Sequence, residues 1–164
     1  MGKNNFESLA DNRMEFMNRL AMDDELAKCM LNKADYFKDT TITELEKANL
    51  MFKQIYPFQK TTGKLSTDKS YITMRFKYKK LPSGNVYKAS YVTLYIFCPD
   101  SLFVTKYNQL RTDYMLQCVD RLLNDTRGEG WIGKLALETM DDIVMDNDGE
   151  YVGIAVTYKN TEFQ

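Results

Sequence analysis

The chain has 164 residues, the size of one ordinary domain, and its 44% apolar and 13% aromatic residues suffice to bury a core, which excludes a disordered chain. A formal net charge of −1 excludes a generally basic nucleic-acid binder, and the lack of any histidine removes the commonest general base and the commonest metal ligand. The three cysteines, Cys29, Cys98 and Cys118, are odd in number and widely spaced, so they read as buried free thiols in a reducing compartment.

The N-terminus has no apolar segment of signal-peptide type. Met1-Gly2 resembles a myristoylation start, but Phe6 stands where Ser or Thr is wanted. No apolar run approaches the ~18 residues that span a bilayer, so no membrane association is expected. Residues 5–32 read as helix with a break near Asp23-Asp24. Met14, Met17 and Leu20 form one apolar stripe, and Leu26, Cys29 and Met30 form a second. Asp23, Asp24 and Glu25 suit the positive N-terminus of the second piece.

Residues 33–40 read as a loop. Thr41 with Glu44, and Thr43 with Glu46, both have capping-box spacing, so a helix is expected over about 42–53 with Ile42, Leu45, Ala48 and Phe52 inward. Pro57 stops it, and the polar, basic segment 57–69 is a long exposed loop. From Ser70, the residues Ile72, Met74, Phe76 and Tyr78 alternate with Thr73, Arg75, Lys77 and Lys79, a strand with one wet, basic face that also holds Tyr71. A turn at Leu81–Asn85 leads to a strand over 86–97. That strand becomes apolar on both faces toward Phe97, so its far end must be covered on both sides.

The segment Leu110–Asp125 organises the rest. Leu110, Tyr114, Met115, Leu116, Cys118, Val119, Leu122 and Leu123 share one broad apolar arc, opposite Asp113, Gln117, Asp120, Arg121 and Asn124. Leu122 is expected to be fully buried. A turn at Arg127–Gly130, a strand over Lys134–Thr139, a turn at Met145–Gly149 and an alternating strand over 151–158 complete the chain. The predicted fold is α+β: N-terminal helices, then a β-β-α-β-β unit whose two hairpins join one mostly antiparallel sheet with the helix packed across it. It forms a single domain over 1–164, divided into a helical part (1–53), the basic loop (57–69) and the β-β-α-β-β part (70–164).

No motif carries catalysis. Gly128-Glu129-Gly130-Trp131-Ile132-Gly133 matches G-x-G-x-x-G, but a helix precedes it and a strand follows, the reverse of a dinucleotide site. These glycines suit a helix C-cap, and Trp131 either plugs the gap beside it or anchors an interface. Asp146–Glu150 fails as a calcium loop, because Val144 and Ala155 fall where carboxylates are required. Asp141 and Asp142 are adjacent on a strand and point to opposite faces. No enzyme activity, cofactor or metal is expected.

The charge is segregated along the chain. Residues 51–80 hold eight bases and one acid, whereas residues 81–164 hold seven bases and twelve acids. Lys60, Lys64 and Lys69 on the loop are candidate contacts to a neighbouring subunit. Arg75, Lys77 and Lys79 form a face suited either to such a contact or to DNA phosphates in a lumen.

Phe97–Ser101, Leu110–Tyr114, Asp120–Asn124, Ile132–Leu135 and Tyr151–Phe163 together give about residues 90–164 a pattern that resembles the tail terminator or tail-completion (neck) proteins of tailed bacteriophages. The resemblance implies an α+β subunit of a ring, usually hexameric, that caps the tail tube, docks it to the head connector and lets double-stranded DNA pass. The implied partners are like subunits, the tail tube protein and head–tail connector or neck proteins. The implied location is the virion, assembled in the host cytoplasm. A head-completion or connector adaptor one ring higher is the alternative within that class. A nucleic-acid-binding accessory protein and a small enzyme with an unrecognised site are the alternatives outside it.

Overall fold

A computed structural model describes residues 5–31, 37–82, 87–126, 133–145 and 150–163. Trp131, the glycine motif before Gly133, the first half of the loop at 33–40 and the tips of the turns at 83–86, 127–130 and 146–149 lie outside the described residues.

The first two helices break where the acidic cluster lies. α1 (Asn5–Ala21) ends just before Asp23, whose carboxylate accepts the Leu26 N–H at 2.9 Å and so caps α2 (Asp24–Leu31). Met17 and Leu20 are buried, as are Leu26, Cys29 and Met30, but Met14 is 44% exposed and points away from the core.

The third helix corrects an expectation. α3 covers only Glu44–Ala48, and of the two possible capping boxes it uses Thr43 with Glu46. The Glu46 N–H donates to the Thr43 hydroxyl at 3.2 Å, and the Thr43 N–H donates to the Glu46 carboxylate at 2.7 Å. Leu45 and Phe52, expected inside, are exposed. Phe52 has a φ of 60°, which a helix cannot hold, and its N–H turns to the Ile55 carbonyl at 2.9 Å. That turn feeds β1 (Ile55–Tyr56), a two-residue parallel strand not anticipated from the sequence.

The remaining strands are β2 (Tyr71–Lys80), β3 (Tyr87–Pro99), β4 (Leu135–Val144) and β5 (Tyr151–Asn160), with α4 (Arg111–Leu123) between β3 and β4. The sheet order is β1-β2-β3-β5-β4, antiparallel everywhere except at β1. Both hairpins therefore join one sheet, and the fold is α+β with helices on one face. β4 runs five residues past its expected end.

α1, α2 and α4 bury a common core with the helix-facing row of the sheet, including Ile72, Met74, Leu94, Ile96 and Val156. α4 contributes Met115, Cys118, Val119 and Leu123, all buried. Leu122, expected to be fully buried, is only partly so and packs at the margin of this core. Asp120 accepts the Tyr158 hydroxyl at 3.0 Å, and Arg121 reaches the Asp23 and Glu25 carboxylates at 3.0 and 2.9 Å. These contacts fix the helix to β5 and to the start of α2. No described helix is long and apolar enough to cross a membrane.

Candidate functional site

The sheet face away from the helices divides into a covered end and a bare end. At the covered end, Tyr56, Tyr71, Phe97 and Tyr151 form a second apolar cluster with Leu65 from the loop. The Tyr71 and Phe97 rings stack at 5.7 Å, and Tyr151 meets Phe97 edge-on at 5.8 Å. The loop is held down by hydrogen bonds from the Ser66 N–H to the Tyr71 hydroxyl (2.9 Å) and from the Tyr151 hydroxyl to the Leu65 carbonyl (3.3 Å). The both-sided covering expected near Phe97 is therefore present. The same covering corrects the expected wet face of β2, because Tyr71 and Thr73 are both buried. Tyr71 is unavailable to stack on a base, and burial raises its hydroxyl pKa.

The bare end starts at Arg75. Period-2 alternation along β2 puts Arg75, Lys77 and Lys79 on this face, all exposed. Across the ladder, Thr93 stands opposite Arg75, and Tyr91 stands opposite Lys77. The Lys77 ammonium lies 5.8 Å from the Tyr91 ring centroid, and the Thr93 and Thr157 hydroxyls meet at 2.9 Å across β3 and β5. Arg75, Lys77, Tyr91, Thr93 and Thr157 line an open depression of about 310 Å³. Cations and hydroxyls around a shallow, solvent-open floor suit loose contact with phosphates and do not enclose a small substrate.

The loop lysines are placed apart from this depression, and none of them lines it. Lys60 rests its ammonium 4.5 Å from the Tyr56 ring centroid. Lys64, at the end of a short 3₁₀ turn, and Lys69, just before β2, are exposed. The loop backbone is held to its own sheet at Leu65 and Ser66 and does not reach away from the subunit there.

All three cysteines are free and buried. Burial pushes the Cys29 and Cys98 thiols up to about 12 and the Cys118 thiol up to about 11, so none supplies a thiolate nucleophile at neutral pH. Among the described residues, no group of three or more acidic or cysteine side chains is placed to hold a metal ion. On β4, Asp141 and Asp142 pair with Ala155 and Ile154 and so sit on opposite faces.

Two features of the site escaped the sequence. Thr157 reaches the depression only because β5 inserts between β3 and β4, a non-sequential order. Arg111, at the first turn of α4, is buried: it donates from Nε to the Leu102 carbonyl and from Nη1 to the Cys29 carbonyl, both at 2.9 Å. It is a bracket between α4 and α2.

A family model described as YomW matches residues 23–160, from the cap of α2 to the end of β5. No curated protein and no solved structure matches the chain.

Proposed function

The chain belongs to the YomW family, which is phage-associated, and from that premise we propose that it is a ring-forming structural subunit of a phage neck or tail. Its place is the tail terminator: it caps the tail tube and docks it to the head connector. The observation that carries this reading is the bare, basic sheet face. Arg75, Lys77 and Lys79 stand on a flat surface with hydroxyls beside them and no enclosed pocket, a form suited to a wall past which DNA slides. The terminator position is supported by the likeness of about residues 90–164 to tail-completion proteins. The described residues of that stretch include Asp120 and Tyr158, which pin α4 to the sheet.

Lys60, Lys64 and Lys69 serve the contact with a neighbouring chain, while the β2 cations line the passage where two copies meet. Electron micrographs of phage lacking the protein test the placement. Over-long or ragged tails beside full heads are expected. Normal-length free tails beside leaking heads would instead place the protein in the head-completion ring. A strict monomer by native mass spectrometry, even beside tail tube protein, would overturn the ring.

The basic face also favours a second reading, a nucleic-acid-binding accessory protein. That reading requires tight binding of a short oligonucleotide at ~150 mM salt, where nonspecific phosphate contacts are already much weakened.

A further inference from the structure

A closed ring of identical chains needs two unlike, complementary patches on each copy, and the two edges of this sheet differ in that way. β4 is one edge strand, and it carries Glu138, Asp141 and Asp142, all exposed, with no cation. At the other edge, β1 pairs only with Ile72 and Thr73, so among the described residues no strand pairs with that side of β2 beyond Thr73. The open stretch carries Arg75, Lys77, Lys79 and Lys80, all exposed, with no acid. Among the described residues none of these seven charges enters an ion pair. Charged residues guard the bare edges of many monomeric sheets. Guarding alone does not make one edge wholly cationic and the other wholly anionic.

Apolar surface follows the same division. On the helix side of β4, Leu137, Met140 and Val144 are 47%, 55% and 63% exposed. Leu137 and Met140 line a groove of about 360 Å³ against Leu116 of α4. Near the open stretch of β2, Met14 of α1 and Phe58 are each 44% exposed. Strand direction also fits. The three antiparallel ladders from β2 through β3 and β5 to β4 make β2 and β4 run in opposite senses. A copy that continues its neighbour's sheet in the same orientation therefore meets it in an antiparallel pair.

We infer that β4 of one copy adds, head to tail, to residues 75–80 of β2 in the next. With β4 slid along the strand direction from the level it holds in its own sheet, where Asp141 lies in line with Thr73, Asp141 faces the β2 cations on the open face, and Leu137 and Met140 lie on the helix side, where the neighbour exposes Met14. This inference rests on the ring reading and supplies a contact additional to that of the loop lysines.

The test is a charge exchange in the full chain, with circular dichroism confirming that each variant folds. One variant carries Lys77→Glu with Lys79→Glu, and the other carries Asp141→Lys with Asp142→Lys. Self-association, read by native mass spectrometry and sedimentation beside the wild type, should weaken at least tenfold in each variant alone. In a one-to-one mixture it should return, because each reversed edge then meets its opposite. If the wild type forms rings and both variants do so equally well, the edge contact is wrong and the ring reading stands. If both variants fail and the mixture fails too, these edges meet a different partner, such as the tube protein, and the inference falls. A wild type that stays monomeric even with tube protein removes the ring reading and the inference together.

Discussion

Arg111 is the residue whose loss should be felt most. It is 1% exposed, its guanidinium satisfies two carbonyls from different parts of the chain, and it lies 5.1 Å from the Phe37 ring centroid. Arg111→Met fills similar space but removes both hydrogen bonds, one of them buried, at an expected cost of roughly 2–5 kcal/mol. Urea unfolding followed by circular dichroism reads this directly, and a loss below ~0.5 kcal/mol would show that the bracket is idle. The buried thiols make a second prediction. A group whose proton is held more tightly in the fold contributes its full stability below its unfolded pKa and loses it as pH rises toward the folded value. Here the window opens near 9.0 and runs to about 11 for Cys118 and about 12 for Cys29 and Cys98. Tyr158, raised by burial and by its Asp120 partner, acts in the same direction. The unfolding free energy read from urea curves should therefore fall above pH ~9, by up to ~1.4 kcal/mol per pH unit for each thiol, and Cys118→Ala should make the fall shallower. A flat profile to pH ~10.5 would contradict it. The thiols' burial was legible from their apolar surroundings. Arg111 was not, because a charge at a helix start has a surface role by default, and only the approach of α2 encloses it.

At the scale of elements, α4 separates a core row from a margin row. Leu123 is fully buried, while Leu122 lies at the edge of the packing. Leu123→Ala should cost roughly 2–5 kcal/mol, through lost transfer energy and a cavity, and Leu122→Ala should cost about 1 kcal/mol. Equal losses in the two variants, measured by the same unfolding curves, would mean that the helix sits rotated from this placement. β2, β5 and α4 were readable because each repeats its apolar period along most of its length, whereas β4 does not, and its last five residues escaped the reading. α3 and β1 were not. The apolar spacing of Ile42, Leu45, Ala48 and Phe52 mimics a helix face, but the chain instead turns at Phe52 so that Ile55 can reach the core and pair beside Ile72. That outcome is decided by contacts distant in sequence, which override local periodicity. The bare basic face was legible only from Arg75 onward, since the burial of Tyr71 and Thr73 depends on a loop folding over them.

At the scale of the whole molecule, the loop lysines and the β2 cations can be told apart by what fails. Changing Lys60, Lys64 and Lys69 together to Glu should block assembly of rings or of ring–tube complexes even without DNA, if they meet a neighbouring chain. If they face the passage instead, assembly proceeds and only DNA retention or passage suffers. Native mass spectrometry and the DNA content of particles separate these outcomes. Normal assembly with normal DNA handling would remove both roles.

The ladders contain two irregularities that fall on the same transverse line. Between Lys77 and Tyr78 the register with β3 slips and leaves Ser90 as the extra residue; between Leu137 and Thr139 the register with β5 slips and leaves Glu138 as the extra one. The row joining Phe76, Val92, Tyr158 and Leu137 runs past both. Ser90 is buried and donates its hydroxyl to the Lys77 carbonyl at 2.9 Å, which holds its bulge in place. A bulge bends its strand and adds twist, so two in line act as a crease across the sheet. If six copies close on themselves as the proposed ring requires, each must turn the path by about 60°. A creased sheet brings part of that curvature ready-made, with less left for the seams between copies to provide.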